Sequence, residues 1–224
     1  MSSHHIVRDK QEPALMIANG DSCNGELMGQ LLEWSPYVLV LDGALDRVLQ
    51  RGIKVDAVLG DFDSVSVQRL STDQEQMIEW IHKPEQDNTD FDKGVIHLIE
   101  NNHSAVNVIW ATGRRMDHTF NNILSMARFS GQINITLWDD HSKAFILQRS
   151  YKKYYPAGTT LSLLPITQVM DVKTQGLRYN LEGENLHVPD RTGNSNEVVS
   201  DGIVEIHHEE GLLCLMECFD TSIS

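Results

Sequence analysis

The stretch Asp56-Ala57-Val58-Leu59-Gly60-Asp61-Phe62-Asp63-Ser64 decides how the rest of the chain is read. Its first half is a short apolar run, which predicts a buried strand. The strand stops at a glycine followed by two carboxylates two residues apart. Backbone that stays extended through Asp61 and Asp63 sends both side chains off one face. Two neighbouring anions repel, so the arrangement calls for a cation, a shared proton or wide exposure to water. A hard divalent cation meets that need, and Mg²⁺ commonly takes one or two carboxylates together with substrate phosphates. The other reading is a turn that caps a following helix, since Asp and Ser are ordinary N-cap residues.

Toward the N-terminus, Leu15-Met16-Ile17-Ala18 runs into Asn19-Gly20-Asp21, and Tyr37-Val38-Leu39-Val40-Leu41 runs into Asp42-Gly43. Between these strands Leu27, Leu31, Leu32 and Trp34 recur at helical spacing. Residues 44–50 place Leu45, Val48 and Leu49 on one side, with Gly52 as a stop. Three strands separated by helices predict parallel pairing in an α/β sheet. Ligands of such sheets lie beyond the carboxyl ends of the strands. The three acidic turns all fall at that edge, which favours the metal reading of Asp61 and Asp63.

Toward the C-terminus, residues 64–76 are polar and weakly patterned, and Met77 to His82 alternates like a strand. Glu85-Gln86-Asp87-Asn88-Thr89-Asp90-Phe91-Asp92-Lys93 opens a helix carried on by Val95, Ile96, Leu98 and Ile99. Thr89 with Asp92 fits a capping box. Capping leaves Asp87, Asp90 and Lys93 unexplained, and their i, i+3 spacing puts them on one side. Val106 to Trp110 is a further strand, and Ala111-Thr112-Gly113-Arg114-Arg115-Met116-Asp117-His118 leads into a helix through Met126. Two arginines ahead of a helix N-terminus combine fixed cations, free backbone N–H groups and the positive dipole end, a phosphate site. His118 and Asn122 share a helix side, where a hydrogen-bonded structural histidine is the ordinary case. Residues 133–138 form the last strand of this half.

After Asp139-Asp140 the texture changes to short strands separated by Gly- and Pro-containing turns: 144–147, 160–164, 169–173, 203–206 and 212–216. The expected architecture is an α/β N-terminal domain with a mainly parallel sheet (1–140), followed by an all-β sandwich C-terminal domain (141–224). Asp190 to Asn196 reads as a polar loop in which Ser195 and Asn196 are candidates for ligand contact.

The 224 residues suffice for these two cores. Eighteen basic against thirty-two acidic residues give a formal net charge of -14. That balance argues against nucleic acid or an anionic membrane as partner, and an anionic substrate then needs a metal or a few placed cations. Cys23, Cys214 and Cys218 have neither metal-ligand spacing nor an even count, so free thiols in a reducing cytoplasm are expected. No apolar run approaches a membrane span, and the first residues lack a signal core.

Taken in order, Asp42-Gly43-Ala44, Gly60-Asp61-Phe62-Asp63-Ser64, Gln86 to Lys93 and Gly113 to His118 resemble the motif series of the thiamine pyrophosphokinase family. Gly176-Leu177-Arg178-Tyr179-Asn180-Leu181 and Ser195-Asn196 are similar to the signatures of its β domain. The resemblance implies a homodimer that transfers diphosphate from ATP to thiamine with Mg²⁺, its thiamine pocket shared between chains. It implies that Asp42, Asp61, Asp63 and Asp90 hold Mg²⁺ and phosphates. It also implies that Gln86, Asp87, Lys93 and Arg115 orient the nucleotide or its phosphates, and that Asp117, Tyr179, Ser195 and Asn196 hold thiamine. Arg114 joins the phosphate-binding candidates on the reading of two arginines ahead of a helix. Ala44, Asp46 and Arg114 depart from a frequent glycine, asparagine and glycine, and Arg114 adds bulk and charge beside the phosphates.

The chemistry such residues support is positioning and charge neutralisation, with Asp63 or Asp90 as acceptor of the hydroxyl proton. Other readings are a different Mg-dependent nucleotide-using transferase, such as a nucleotide-sugar enzyme with an Asp-x-Asp pair, and a catalytically silent nucleotide or thiamine binder. An aspartyl phosphatase fits poorly, because Gly60 precedes the first carboxylate and Ser64 follows the second.

Overall fold

The computed structural model describes residues 12–62, 76–85 and 87–219. Six parallel strands build its first half: β1 (Ala14–Ile17), β2 (Val38–Leu41), β3 (Ala57–Gly60), β4 (Glu79–His82), β5 (Ala105–Ile109) and β6 (Asn134–Trp138). Every residue of β1, β2 and β3 is buried, as expected of central strands covered on both faces. Helices α1 (Gly25–Leu32) and α2 (Leu45–Gln50) cover one face, with Met28, Leu45 and Val48 on Val38, Val40 and Val58. Helices α3 (Asp90–Glu100) and α4 (Met116–Phe129) cover the other, with Phe91, Val95, Leu98, Met126 and Phe129 on Met16, Leu39 and Leu59.

The strands run in the order β6-β5-β1-β2-β3-β4. The chain winds outward from β1 to β4, crosses back to β5 on the other side of β1, and continues to β6. The order therefore reverses between β1 and β5. A crevice opens at such a switch point, because the connections leaving the two strands diverge.

The sheet continues beyond β6. Antiparallel β7 (Ser142–Ile146) joins it, then β14 (Leu213–Cys218), β9 (Thr160–Pro165) and β12 (Gly193–Glu197), making ten strands in all. A second antiparallel sheet, β11 (Glu182–Leu186), β10 (Val169–Gln175), β13 (Gly202–His207) and β8 (Ser150–Tyr155), packs on this end. Leu161, Leu163, Val172, Val204, Ile206 and Leu215 fill the space between the layers, which is the predicted sandwich. Among the described residues, no helix is long and apolar enough to cross a membrane.

Three local expectations are corrected. The backbone does not stay extended after β3: Phe62 has φ +62°, so the chain turns sharply there, and Asp63 lies outside the described residues. The polar segment 190–196 is not all loop, since β12 pairs with β9 through a register shift between Gly193 and Asn196. Thr89 caps α3 by accepting the Asp92 amide at 3.3 Å, but the Asp92 carboxylate does not complete a capping box. It is buried against α4 and bonds Arg128 at 2.6 Å.

Candidate active site

The turns leaving β1, β2, β3 and β5, together with the starts of α3 and α4, enclose a cleft of about 780 Å³ at the carboxyl end of the parallel strands. Asp42, Asp61, Asp87, Asp90, Lys93, Arg114, Arg115 and Asp117 all line it. Residues spread over 76 positions of sequence meet here because parallel strands deliver each loop to one edge. Gln86 lies outside the described residues.

Asp42 sits in a 3-10 turn directly after β2. Its carboxylate accepts the Gly43 amide at 2.5 Å and the Phe62 amide at 3.0 Å, which ties the β2 and β3 turns together. The left-handed Phe62 aims its N–H at Asp42. Gly60 is required by the same contact: a Cβ there would lie 2.2 Å from the Asp42 carboxylate. Burial raises the Asp42 pKa; the two amides oppose this, and the nearby charges of Asp90 and Asp61 add to it.

On α3, Lys93 is buried and donates to the Lys83 carbonyl at 2.8 Å and to Asp90 at 3.1 Å. On the β5 side, Arg115 and Asp117 form a two-point pair at 3.1 and 2.5 Å. Asn122 is buried and donates to the Ala111 carbonyl at 2.8 Å, fixing α4 against the β5 turn. His118 also lines the cleft.

The three predicted residues of the second half do not line this cleft. They form a cluster of their own, in which buried Asn196 donates to the Tyr179 carbonyl at 2.8 Å and accepts the Tyr179 amide at 3.1 Å. The Tyr179 ring is exposed, and Ser195 takes φ +53° while its amide donates to Ser162. Asn196 thus holds the 176–181 turn that presents Tyr179.

Sequence reasoning missed Arg47, Trp110 and the part played by Asn19. Arg47 donates to the Gly20 carbonyl at 3.0 Å and to the Asn19 side chain at 2.9 Å, with its guanidinium 4.5 Å from the Trp110 ring centre. No local pattern marks these residues, because the contacts join α2, the β1 turn and the end of β5.

Residues 28–137 match the model of the thiamin pyrophosphokinase catalytic domain, and residues 147–213 that of the thiamin pyrophosphokinase vitamin B1 binding domain. Thiamine pyrophosphokinase 1 of Oryza sativa subsp. japonica is 27% identical over 183 residues, spanning 75% of this chain and 67% of the relative. The fold is similar to thiamin pyrophosphokinase from Geobacillus thermodenitrificans, with TM-score 0.80 and 21% identity over 94% of this chain and 99% of that one. It is likewise similar to yeast thiamin pyrophosphokinase, with TM-score 0.77 and 17% identity over 95% and 88% of the two chains. Two family domains matched in order, together over most of its length, establish that this chain belongs to the thiamin pyrophosphokinase family.

Proposed function

We propose that the protein transfers the β,γ-diphosphoryl group of Mg-ATP to the primary hydroxyl of thiamine, releasing AMP. The observation that carries this reading is the meeting of Asp42, Asp61 and Asp90 with Lys93, Arg114 and Arg115 around one cleft at the strand switch point. The acidic set suits a hard divalent cation: Asp42 is held half-buried beside two further carboxylates, which favours a neutralising charge. Among the described residues, no three acidic, imidazole or thiolate groups enclose a metal by themselves. Mg²⁺ commonly takes its remaining ligands from phosphate oxygens and water. Asp42, Asp61 and Asp90, with Asp63 beyond the described residues, would hold Mg²⁺. When bound, the ion neutralises phosphate charge and fixes the geometry of in-line transfer.

The chain's own residues do the remaining work. Lys93 steers the Asp90 carboxylate, and Asp90 or Asp63 accepts the proton of the attacking hydroxyl. Arg114, Arg115, Asp87 and Gln86 orient the nucleotide. Asp117, Tyr179, Ser195 and Asn196 hold thiamine, whose cationic ring suits an aromatic face in an acidic surrounding. Tyr179, Ser195 and Asn196 stand apart from the cleft, which supports a pocket completed by a second copy of the chain. Met116, Phe120 and Leu124 form an exposed apolar stripe on α4 beside the cleft, as a covered face would. The α/β region 1–140 would carry ATP, and region 141–224 thiamine and dimer contacts. Free Cys23, Cys214 and Cys218 agree with a cytoplasmic location.

The test is incubation with Mg-ATP and thiamine, in which AMP and thiamine diphosphate should appear in equal amounts; a folded protein forming neither would refute the reading. Mixing Asp61→Asn with Ser195→Ala plus Asn196→Ala should restore activity when the pocket is shared, and no recovery would place it within one chain. Gly60→Ala should lower turnover about 10²-fold, since the new methyl displaces the Asp42 carboxylate from its two amides. Turnover near wild type would show that Asp42 placement is immaterial.

A further inference from the structure

Three basic side chains line the cleft on lysine and arginine positions, and two are already matched: Lys93 with Asp90, and Arg115 with Asp117. Arg114 differs. Among the described residues, no carboxylate lies within ion-pair distance of its guanidinium, nor of Arg47 or Arg51 behind it. In a chain of net charge -14, three arginines gather around Asn19 and Trp110, with Asp21 the carboxylate nearest them. Burial lowers the Arg47 pKa, and the charges of Arg114 and Arg51 lower it further, while the charge of Asp21 opposes them.

The spot is built. Arg114 sits at φ +50°, directly after Gly113 at φ +75°. A non-glycine residue is strained there, and strain of this kind at a cleft points to use of the side chain. Its amide donates to Asp21 at 3.2 Å, and its guanidinium donates to the Asn19 carbonyl and side-chain oxygen, each at 3.3 Å. The same Asn19 side-chain oxygen accepts Arg47 at 2.9 Å. The Asn19 amide packs on Gly43, where a Cβ would lie 2.2 Å from it, so the glycine makes the space that this asparagine fills. One asparagine therefore fixes two guanidinium groups, and only the outer one faces the cleft.

We propose that Arg114 binds a phosphate of the nucleotide from the β5 side of the cleft, across β1 from the acidic residues, and that Asn19, braced by Arg47, is the positioning residue that aims it. The proposal rests on the nucleotide reading above and deepens it, by giving Arg114 a phosphate to hold and naming Asn19 as the residue that aims it. A phosphate chain running from the acidic edge to the switch point would then be held at both ends.

Mg-ATP titration without thiamine tests it, on wild type, Arg114→Gly, Arg114→Lys, Asn19→Ala and the Arg114→Gly/Asn19→Ala double variant. Glycine suits the backbone at this position, so Arg114→Gly should fold. It should weaken Mg-ATP binding about 10- to 100-fold, the loss expected for a charge-assisted hydrogen bond, with KM rising more than kcat falls. Arg114→Lys should recover part of the loss, keeping the charge without the fork. Asn19→Ala should weaken binding in the same direction, and the double variant should bind no worse than Arg114→Gly. Arg114→Gly binding within about twofold of a binding-competent wild type would overturn the proposal and leave the nucleotide reading standing. Additive losses in the double variant would overturn the role of Asn19, and wild type that fails to bind Mg-ATP would overturn both readings. Where Asn19→Ala does not fold, the comparison of Arg114→Gly with Arg114→Lys decides.

Discussion

Asp61→Asn should lower AMP formation about 10²- to 10⁴-fold while leaving the melting temperature unchanged or slightly raised. The substitution separates the two readings of the Gly60-Asp61-Phe62 turn. Asparagine caps a helix as well as aspartate does, so a purely structural turn would tolerate the change. A carboxylate that helps hold a cation loses its charge, and activity goes with it. Stability should change little, because asparagine keeps the size and one oxygen of the side chain, and the charge it removes is one that repels Asp42. The measurement is AMP release at saturating thiamine, with a circular dichroism melt on the same sample. Turnover equal to wild type would remove Asp61 from the site.

The second large effect concerns stability and lies far from the cleft in function. Glu217 on β14 is buried between the sheets, where it accepts Lys153 at 2.9 Å, Tyr155 at 2.7 Å and Tyr151 at 3.3 Å, all from β8 of the facing sheet. Lys143 on β7 adds a longer contact at 3.5 Å. Burial alone would raise the Glu217 pKa, but the hydrogen bonds from Lys153 and Tyr155 outweigh it and leave the carboxyl below its ordinary range. Burial lowers the Lys143 pKa in spite of Glu217, so Lys153, the nearer cation, is the principal partner. The same burial pushes Tyr151 up to about 12.

Removing Glu217 takes the acceptor from a half-exposed lysine and from a pair of tyrosine hydroxyls that keep only each other, which costs about 1–3 kcal/mol. Glu217→Ala should accordingly melt roughly 2–12 °C below wild type. A change under about 2 °C would show that the cluster does not clamp the sheets. The sign of the pH effect follows from the lowered native pKa: stabilisation by Glu217 is complete above the unfolded value, about 4.3, and is lost as pH falls through the native value. Wild type should therefore lose more stability than Glu217→Gln between pH 5 and strongly acid solution.

Much of the first half was legible because β1, β2 and β3 are buried on both faces and read as unbroken apolar runs ending in turns. The acidic loops could be assigned to one edge from parallel pairing alone. Strand order could not be read, since placing β5 beside β1 depends on contacts about 90 residues apart in sequence. The turn at Phe62 was hidden too: nothing in Gly-Asp-Phe-Asp marks an aromatic residue for the left-handed region. In the second half β8 was missed because its inward positions are Tyr151, Lys153 and Tyr155. The lysine looks solvent-facing until Glu217, 64 residues on, supplies its partner. Polar β12, Gly193–Glu197, lacked any apolar alternation to betray it. Asn19 illustrates the same limit at the cleft, where its sequence signal is that of a turn residue and its two arginine contacts exist only in the folded chain.

The most direct test follows the transferred group. With ATP labelled at the β-phosphate, single-turnover reaction with thiamine should carry all the label into thiamine diphosphate and leave the AMP unlabelled. Label retained in ADP would mean transfer of one phosphoryl group, and would contradict the diphosphoryl transfer assigned to this cleft.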